Sequence, residues 1–415
     1  MLAKIQSLAT SNTGKDTIIV FWGTVANVIL GGIFFVIAPR LLGPANYGLF
    51  ATVYATSALI VRLTSLGIDV GILRFTNNLS KESNAFLVIA LKWFLLLGLG
   101  AALIGYFISP KLAEFLGQPS LVTLLRVAFG ATVLFHLTNL LTSGLQAKRE
   151  FKKAAFLLIA NNALRLLLIF LAFYFFVINL TTLTVIFFLS TIAAVVIGAF
   201  LLPVEITKIE KENEKRFFKF NFWIWLSLTI SVIPYDNYLL LKITGPIQAG
   251  IYAAPFRLLN YAYQLGGNFS SVLASRLSTF QNDSQTKVFS KKASIFPLFF
   301  SLVFVFFIIF SKLITQTIFG KQYEKGAQVL SILSFGSIFF FLATIPSSII
   351  LYYFGKSQVS FIITLLKYLL FVILLLILIQ VYGAIGAALA FSLSELFGFL
   401  AMVIYVLIKF QRNAN

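Results

Sequence analysis

The residues of this 415-residue chain that could do chemistry are charged and amide side chains set inside otherwise apolar stretches: Arg62, Asn161, Arg165, Asp236, Arg257, Lys367 and Glu395. A charge near the centre of a bilayer costs about 2.5–3.5 kcal/mol on insertion scales, so each must face protein or water rather than lipid. A guanidinium matches phosphate oxygens in bidentate fashion. Arg62 has no acidic residue obvious at its own depth and is read as a contact for an anionic group. Arg165 is read the same way, with Asn161 four residues back on the same helical face. Arg257 and Asp236 fall at comparable depths in neighbouring antiparallel stretches and are expected to form an ion pair, one that could open as a gate. Lys367 and Glu395 are expected to pair in the same manner, although an anion-contact role stays open for both Arg257 and Lys367. The single histidine, His136, is a candidate proton site, but beside Thr138 and Asn139 it reads first as a hydrogen-bonded member of a helix bundle.

What must position these groups is a set of membrane-spanning helices. Hydrophobic residues make up 60% of the chain and charged residues 11%, where a soluble domain would be about a quarter charged. The pattern of apolar runs divides into about twelve spans of bilayer length. The expected fold is therefore an all-α integral membrane protein. Residues 1–16 form a cytoplasmic N-terminal segment, 17–202 a first six-helix lobe, 203–219 a cytoplasmic linker, 220–408 a second six-helix lobe, and 409–415 a cytoplasmic tail. The linker carries Glu205, Glu210, Glu212 and Glu214 among its lysines.

The net charge of +19 is a topology signal. Lys208, Lys211, Lys215, Arg216, Lys219, Lys287, Lys291, Lys292, Lys409 and Arg412 join most of the remaining basic residues on one side, which the positive-inside rule makes cytoplasmic, with both termini inside. Such charges also attract anionic membrane lipids. No basic stretch forms a soluble module, so a nucleic-acid partner is not expected.

The two halves repeat. Gly43-Pro44-Ala45-Asn46-Tyr47-Gly48-Leu49-Phe50-Ala51 aligns with Gly245-Pro246-Ile247-Gln248-Ala249-Gly250-Ile251-Tyr252-Ala253, and the same register carries Arg40 onto Lys242 and Arg165 onto Lys367. With a small slip, Leu116-Gly117 falls on Phe319-Gly320. An even number of spans per repeat keeps both halves in the same orientation, so the repeat is parallel and a substrate path is expected between the halves.

At this point the chain resembles a known family. Arg40-Leu41-Leu42-Gly43-Pro44, then Tyr47-Gly48, Gly67-Ile68-Asp69 and Arg74-Phe75, are similar to the start of the polysaccharide-biosynthesis (O-antigen type) lipid-linked oligosaccharide flippases. That family lies within the multidrug/oligosaccharidyl-lipid/polysaccharide exporter superfamily. The resemblance extends over essentially the whole chain. It implies a V-shaped, alternating-access flippase of the cell (cytoplasmic) membrane that moves polyprenyl-pyrophosphate-linked glycans from the inner to the outer leaflet. Glycan polymerases or glycosyltransferases of the same pathway would be its partners. Lipid II flippases usually carry two further C-terminal spans. Drug and cation antiporters of the superfamily tend to have acidic membrane sites, whereas the buried excess here is cationic.

Other chemistries are disfavoured. With no cysteine and one histidine, disulfides, thiolate metal sites and multi-histidine metal sites are excluded. No cofactor is expected: there is no Walker A pattern for ATP. Nor is there an HExxH, a Gly-x-Ser-x-Gly or a clustered carboxylate pair, so the chain is not read as an enzyme. A membrane-embedded glycosyltransferase or polymerase is the main enzymatic rival, and the short outer loops argue against it. A scaffold that transports nothing gains nothing from buried arginines.

Overall fold

The computed structural model describes residues 12–76, 81–175, 178–207, 209–230, 234–277, 280 and 282–414. Its regular structure is helical: α1 Asn12–Ser65, α2 Ile68–Phe75, α3 Lys81–Phe115, α4 Val122–Gly130, α5 Thr132–Ala147, α6 Phe151–Tyr174, α7 Leu180–Leu189, α8 Thr191–Leu201 and α9 Lys211–Ile230. There follow α10 Tyr235–Thr244, α11 Pro246–Leu277, α12 Asp283–Ala293, α13 Ile295–Ile309, α14 Ser311–Phe319, α15 Gly326–Ser348, α16 Ser357–Tyr382 and α17 Ala384–Ala414. Among the described residues, nine helices are long and apolar enough to cross a membrane. One of these, Val25–Ser65, spans 41 residues, which at 1.5 Å per residue is about twice a hydrocarbon core. Its backbone leaves helical geometry at Gly43 (φ 71°, ψ 169°), so it makes two spans. Pro44 follows as the first residue of the second piece, where a missing N–H costs nothing.

The chain divides into two compact units, with boundaries between Phe34 and Phe35, Gly48 and Leu49, and Pro234 and Tyr235. Residues 35–48 belong with the second unit and the rest of the chain up to Pro234 with the first. The expected linker 203–219 falls within the first unit. Its second half opens α9, which packs on α2 and α3. The reason is aromatic: Phe217 is fully buried, with its ring centroid 5.8 Å from both Phe75 and Phe86.

In the first unit, α3 packs on α4 and α5, α2 on α5, and α8 on both α5 and α6. Ile68, Ile72, Leu87, Phe94 and Leu140 form one buried cluster, and Leu141, Leu145, Leu157 and Ala194 another. In the second unit, α15 packs on α11, α13 and α17, and α16 on α10 and α17. Its core includes Leu277, Ile345, Ile350, Met402 and Phe410.

The repeat is visible in backbone geometry. Gly43 and Gly245 both adopt positive φ (71° and 84°), each followed by a helix-starting proline. Gly117 and Gly320 also match, and each precedes a short 3₁₀ turn. Within the second unit the two copies of the motif meet. A Cβ built on Gly48 would strike the Pro246 carbonyl and the Gly250 nitrogen, and one on Gly250 would strike the Pro44 carbonyl. Only a residue without a side chain permits backbones this close. The same segment is held by Arg40, which donates to the Thr317 carbonyl at 2.6 Å, and by Gln322, which donates to the Arg40 carbonyl at 3.1 Å.

Glu214 ties α9 to α3. It accepts a hydrogen bond from the Trp93 indole and one from Lys92 Nζ at 3.0 Å. The indole bond, helped by the nearby ammonium, holds the Glu214 carboxyl below its usual range against the opposing effect of burial. A carboxylate with a depressed folded-state pKa stabilises the fold above the unfolded value of about 4.3 and loses that contribution as pH falls through the folded pKa. Wild type is therefore expected to melt above Glu214→Gln at neutral pH, with the gap closing on acidification to below pH ~4; thermal melts of the detergent-solubilised pair at the two pH values check this.

Candidate functional site

The first unit contains a recess of about 340 Å³ lined by Tyr54, Ser57, Arg62, Ser65, Asp69 and Asn139 among others. It forms where α1 ends. Leu66 and Gly67 both take positive φ (46° and 68°), and the chain resumes as α2. A helix end leaves carbonyls without intrahelical partners. Here Ser65 Oγ donates to the Arg62 carbonyl at 3.0 Å, and Trp225 donates its indole N–H to the Leu63 carbonyl at 2.9 Å. The break therefore persists inside an apolar environment because side chains satisfy it.

Arg62 lies in the last turn of α1, where a cation also complements the negative end of the helix dipole. Its Nη1 is 3.9 Å from Asp69 Oδ2, with the two side chains 31% and 27% exposed. This corrects the expectation that Arg62 has no acidic neighbour. On a continuous helix, seven residues would separate the two by about 10.5 Å of rise; the break between α1 and α2 brings them together. The pair is loose: 3.9 Å is outside hydrogen-bonding range. Asp69 Oδ1 is buried and has no hydrogen-bond partner among the described residues. His136 closes the neighbouring wall. Its Nε2 is 2.8 Å from Thr64 Oγ1, and its ring stacks on Phe94 at 4.6 Å.

Arg165 belongs to the same unit but has different surroundings. It is buried, donates from Nε to Ser190 Oγ at 3.1 Å and from Nη1 to Asn162 Oδ1 at 2.9 Å, and lies 4.2 Å from the Phe187 ring centroid. The amide that meets it is thus Asn162, three residues back, not Asn161. Asn162 in turn donates to Asn27 Oδ1 at 2.6 Å. Asn161 Oδ1 is buried without a hydrogen-bond partner among the described residues.

In the second unit Lys367 and Glu395 do meet, Nζ to Oε1 at 2.8 Å, with side chains 16% and 9% exposed. Asp236 and Arg257 do not form the expected ion pair. Asp236 accepts from the Tyr252 hydroxyl and from the Asn237 backbone N–H, each at 2.8 Å, while the Arg257 guanidinium lies 4.1 Å from the Phe35 ring centroid. A tyrosine hydroxyl two turns along α11 satisfies the carboxylate where a cation was expected. The repeat-related cations Arg165 and Lys367 are thus each tied across to the following arm of their own helical hairpin, by a serine in one and a glutamate in the other. Sequence reasoning missed Asp69, Asn162, Tyr54, Ser57 and Ser65. The signal for Ser57 and Ser65 was their spacing, five residues before and three after Arg62, on an otherwise apolar stretch.

An all-helical chain of about twelve spans in two parallel six-helix repeats, with ionisable groups inside them, is a multi-pass membrane protein of transporter architecture. It belongs to the family described as polysaccharide biosynthesis protein, whose pattern matches residues 13–281. A Shigella flexneri protein assigned as an O-antigen transporter is 26% identical over 183 residues, which are 43% of this chain. The match spans 44% of that protein's length. Among solved structures, the lipid II flippase MurJ in an inward closed conformation superposes with a TM-score of 0.75 at 19% identity, covering 94% of this chain and 87% of that one. An inward-facing multidrug resistance MATE transporter of the MOP superfamily superposes with a TM-score of 0.73 at 15% identity, covering 95% and 96%. A MOP superfamily transporter from Pyrococcus furiosus gives 0.61 at 15% identity, with 94% of each chain covered. These likenesses establish the fold.

Proposed function

We propose that this chain is a flippase that carries a polyprenyl-pyrophosphate-linked oligosaccharide across the cell membrane, both termini lying in the cytoplasm. The charged head passes through the protein and the lipid tail stays in the bilayer. The observation that carries this reading is the partly exposed guanidinium of Arg62, set in a recess that Ser57, Ser65 and Asn139 also line, 3.9 Å from Asp69 in a chain of a polysaccharide-biosynthesis family. A diphosphate offers several oxygens, two of which the planar fork of a guanidinium can meet at once, and it outcompetes one distant carboxylate. Arriving diphosphate takes Arg62 from Asp69; its departure returns the pair. Ser57, Ser65 and Asn139 supply neutral polar contacts for sugars. Arg165, which donates to Ser190 and Asn162 and lies over the Phe187 ring, holds α6 to α7, and Lys367 with Glu395 does the same for α16 and α17. No bond is made or broken in this cycle, so the chain is a transporter rather than an enzyme.

The test is reconstitution of the purified protein into vesicles holding a fluorescent polyprenyl-diphosphate-linked glycan. A membrane-impermeant quencher then reads how much label reaches the outer leaflet. Protein-containing vesicles are expected to expose label from both leaflets, and protein-free vesicles from the outer leaflet alone. Equal quenching in the two refutes the reading.

A further inference from the structure

One exposed face, outside the recess and unconnected with the transport reading, has the chemistry of a lipid-binding site. The span Asp283–Ile309 is the least enclosed of the nine, with 12% of its apolar window buried. Its two helices α12 and α13 join at Ser294, which itself keeps right-handed helical geometry, so one stripe runs through both. On a helical wheel Ser284, Val288, Lys291, Ile295, Leu298 and Leu302 fall on that stripe, and all of them are exposed. At its upper end a second recess of about 340 Å³ is lined by Ser284, Gln285, Val288, Phe289 and Lys292. The stripe is thus graded along its length: hydroxyl and amide first, then two ammonium groups, then unbroken aliphatic surface.

We propose that this face holds one anionic phospholipid. Its phosphate sits between Lys291 and Lys292, the polar end of its headgroup reaches Gln285 and Ser284, and an acyl chain follows Ile295, Leu298 and Leu302. The dimensions agree. Ten residues from Lys292 to Leu302 rise about 15 Å, half of a hydrocarbon core of roughly 30 Å. The charge agrees as well. The one acidic residue of α12, Asp283, is turned aside to accept from Tyr353 Oη at 2.5 Å, and Lys287 is drawn over the Phe410 ring at 4.8 Å. That leaves Lys292, which lines the recess, and the neighbouring exposed Lys291 to define the sign of this face, at the level where long cationic side chains meet lipid phosphates. A neutral zwitterionic lipid brings its own ammonium and gains less from the pair.

The chain has no cysteine, so Val288→Cys gives a unique attachment point for an environment-sensitive fluorophore. The labelled protein is reconstituted in phosphatidylcholine vesicles containing a minor fraction of brominated phosphatidylglycerol, which quenches on contact. Quenching at position 288 is expected to exceed the bulk mole fraction of phosphatidylglycerol. That excess should fall about fivefold for each of Lys291→Gln and Lys292→Gln, the factor for one lysine at an anionic surface. A label at Ile377→Cys, exposed on α16, is expected to follow the bulk fraction in every variant, which also reports that the variants are folded. Quenching at 288 that follows the bulk fraction, is unchanged by the two glutamines, or is matched by brominated phosphatidylcholine would overturn the proposal.

Discussion

Glu395→Ala is expected to destabilise the protein by about 3–5 kcal/mol, the cost of leaving one member of a buried ion pair uncompensated. Glu395 is the acceptor that Lys367 Nζ meets at 2.8 Å, and both side chains are largely withdrawn from the surface. Removing the carboxylate strands an ammonium between α16 and α17, which pack closely along one another in the second unit. The double replacement Lys367→Met with Glu395→Leu is expected to lose far less, because no charge remains to be compensated and the volumes are kept. A double-mutant cycle on unfolding free energies, measured by denaturant titration in mixed micelles, should return a coupling of more than about 1 kcal/mol. Additive losses would mean that the pair is incidental to stability.

The second large effect belongs to the apposed glycines. Gly48→Ala places a methyl on the Pro246 carbonyl, and Gly250→Ala places one on the Pro44 carbonyl. These are backbone atoms, which cannot rotate aside as a side-chain end could. Each substitution is expected to push the two helix starts apart at a cost of about 1–3 kcal/mol. Both methyls act on one seam, so the second adds less than the first. Ala249 is fully buried beside it. In the cysteine-free chain, Ala249→Cys should react with a water-soluble maleimide about tenfold faster when Gly48→Ala is present, as expected for a local opening made about 1.4 kcal/mol easier. Unchanged labelling would show that the seam tolerates the methyl by local adjustment.

The parts of this structure that depend on composition and spacing were legible in the sequence. The spans follow from hydropathy, the two halves from the Gly-Pro motif and its second copy, and the Lys367–Glu395 pair from opposite charges at one depth on a tight hairpin. What was not legible turns on breaks and on neutral donors. Asp69 could be placed against Arg62 only by knowing that α1 stops at Ser65, and the turn there puts a leucine at positive φ, which no sequence rule anticipates. The partner of Arg165 is Asn162 rather than Asn161 because spacings of three and four are both neighbours on a helix, and the choice depends on which face meets Asn27. Asp236 turned to Tyr252 because a hydroxyl satisfies a buried carboxylate without bringing a second charge out of water. The Lys/Glu-rich start of α9 keeps Lys211, Glu212, Lys215, Arg216 and Lys219 exposed, and its composition carried no signal that Phe217 among them packs on Phe75 and Phe86.

The central claim is that Arg62 reads the anionic head of the cargo and that Asp69 holds it in the interval. The direct measurement is the rate of lipid-linked glycan flipping in vesicles for wild type, Arg62→Ala and Asp69→Asn, alongside binding of the soluble diphosphate head. Loss of a bidentate charged contact is worth about 1.5–3 kcal/mol, so Arg62→Ala is expected to bind the head and flip the lipid about ten- to a hundredfold less well. Asp69→Asn, which removes the competing carboxylate, should bind the head more tightly than wild type. Undiminished flipping and binding in Arg62→Ala, with no gain of affinity in Asp69→Asn, would contradict the account.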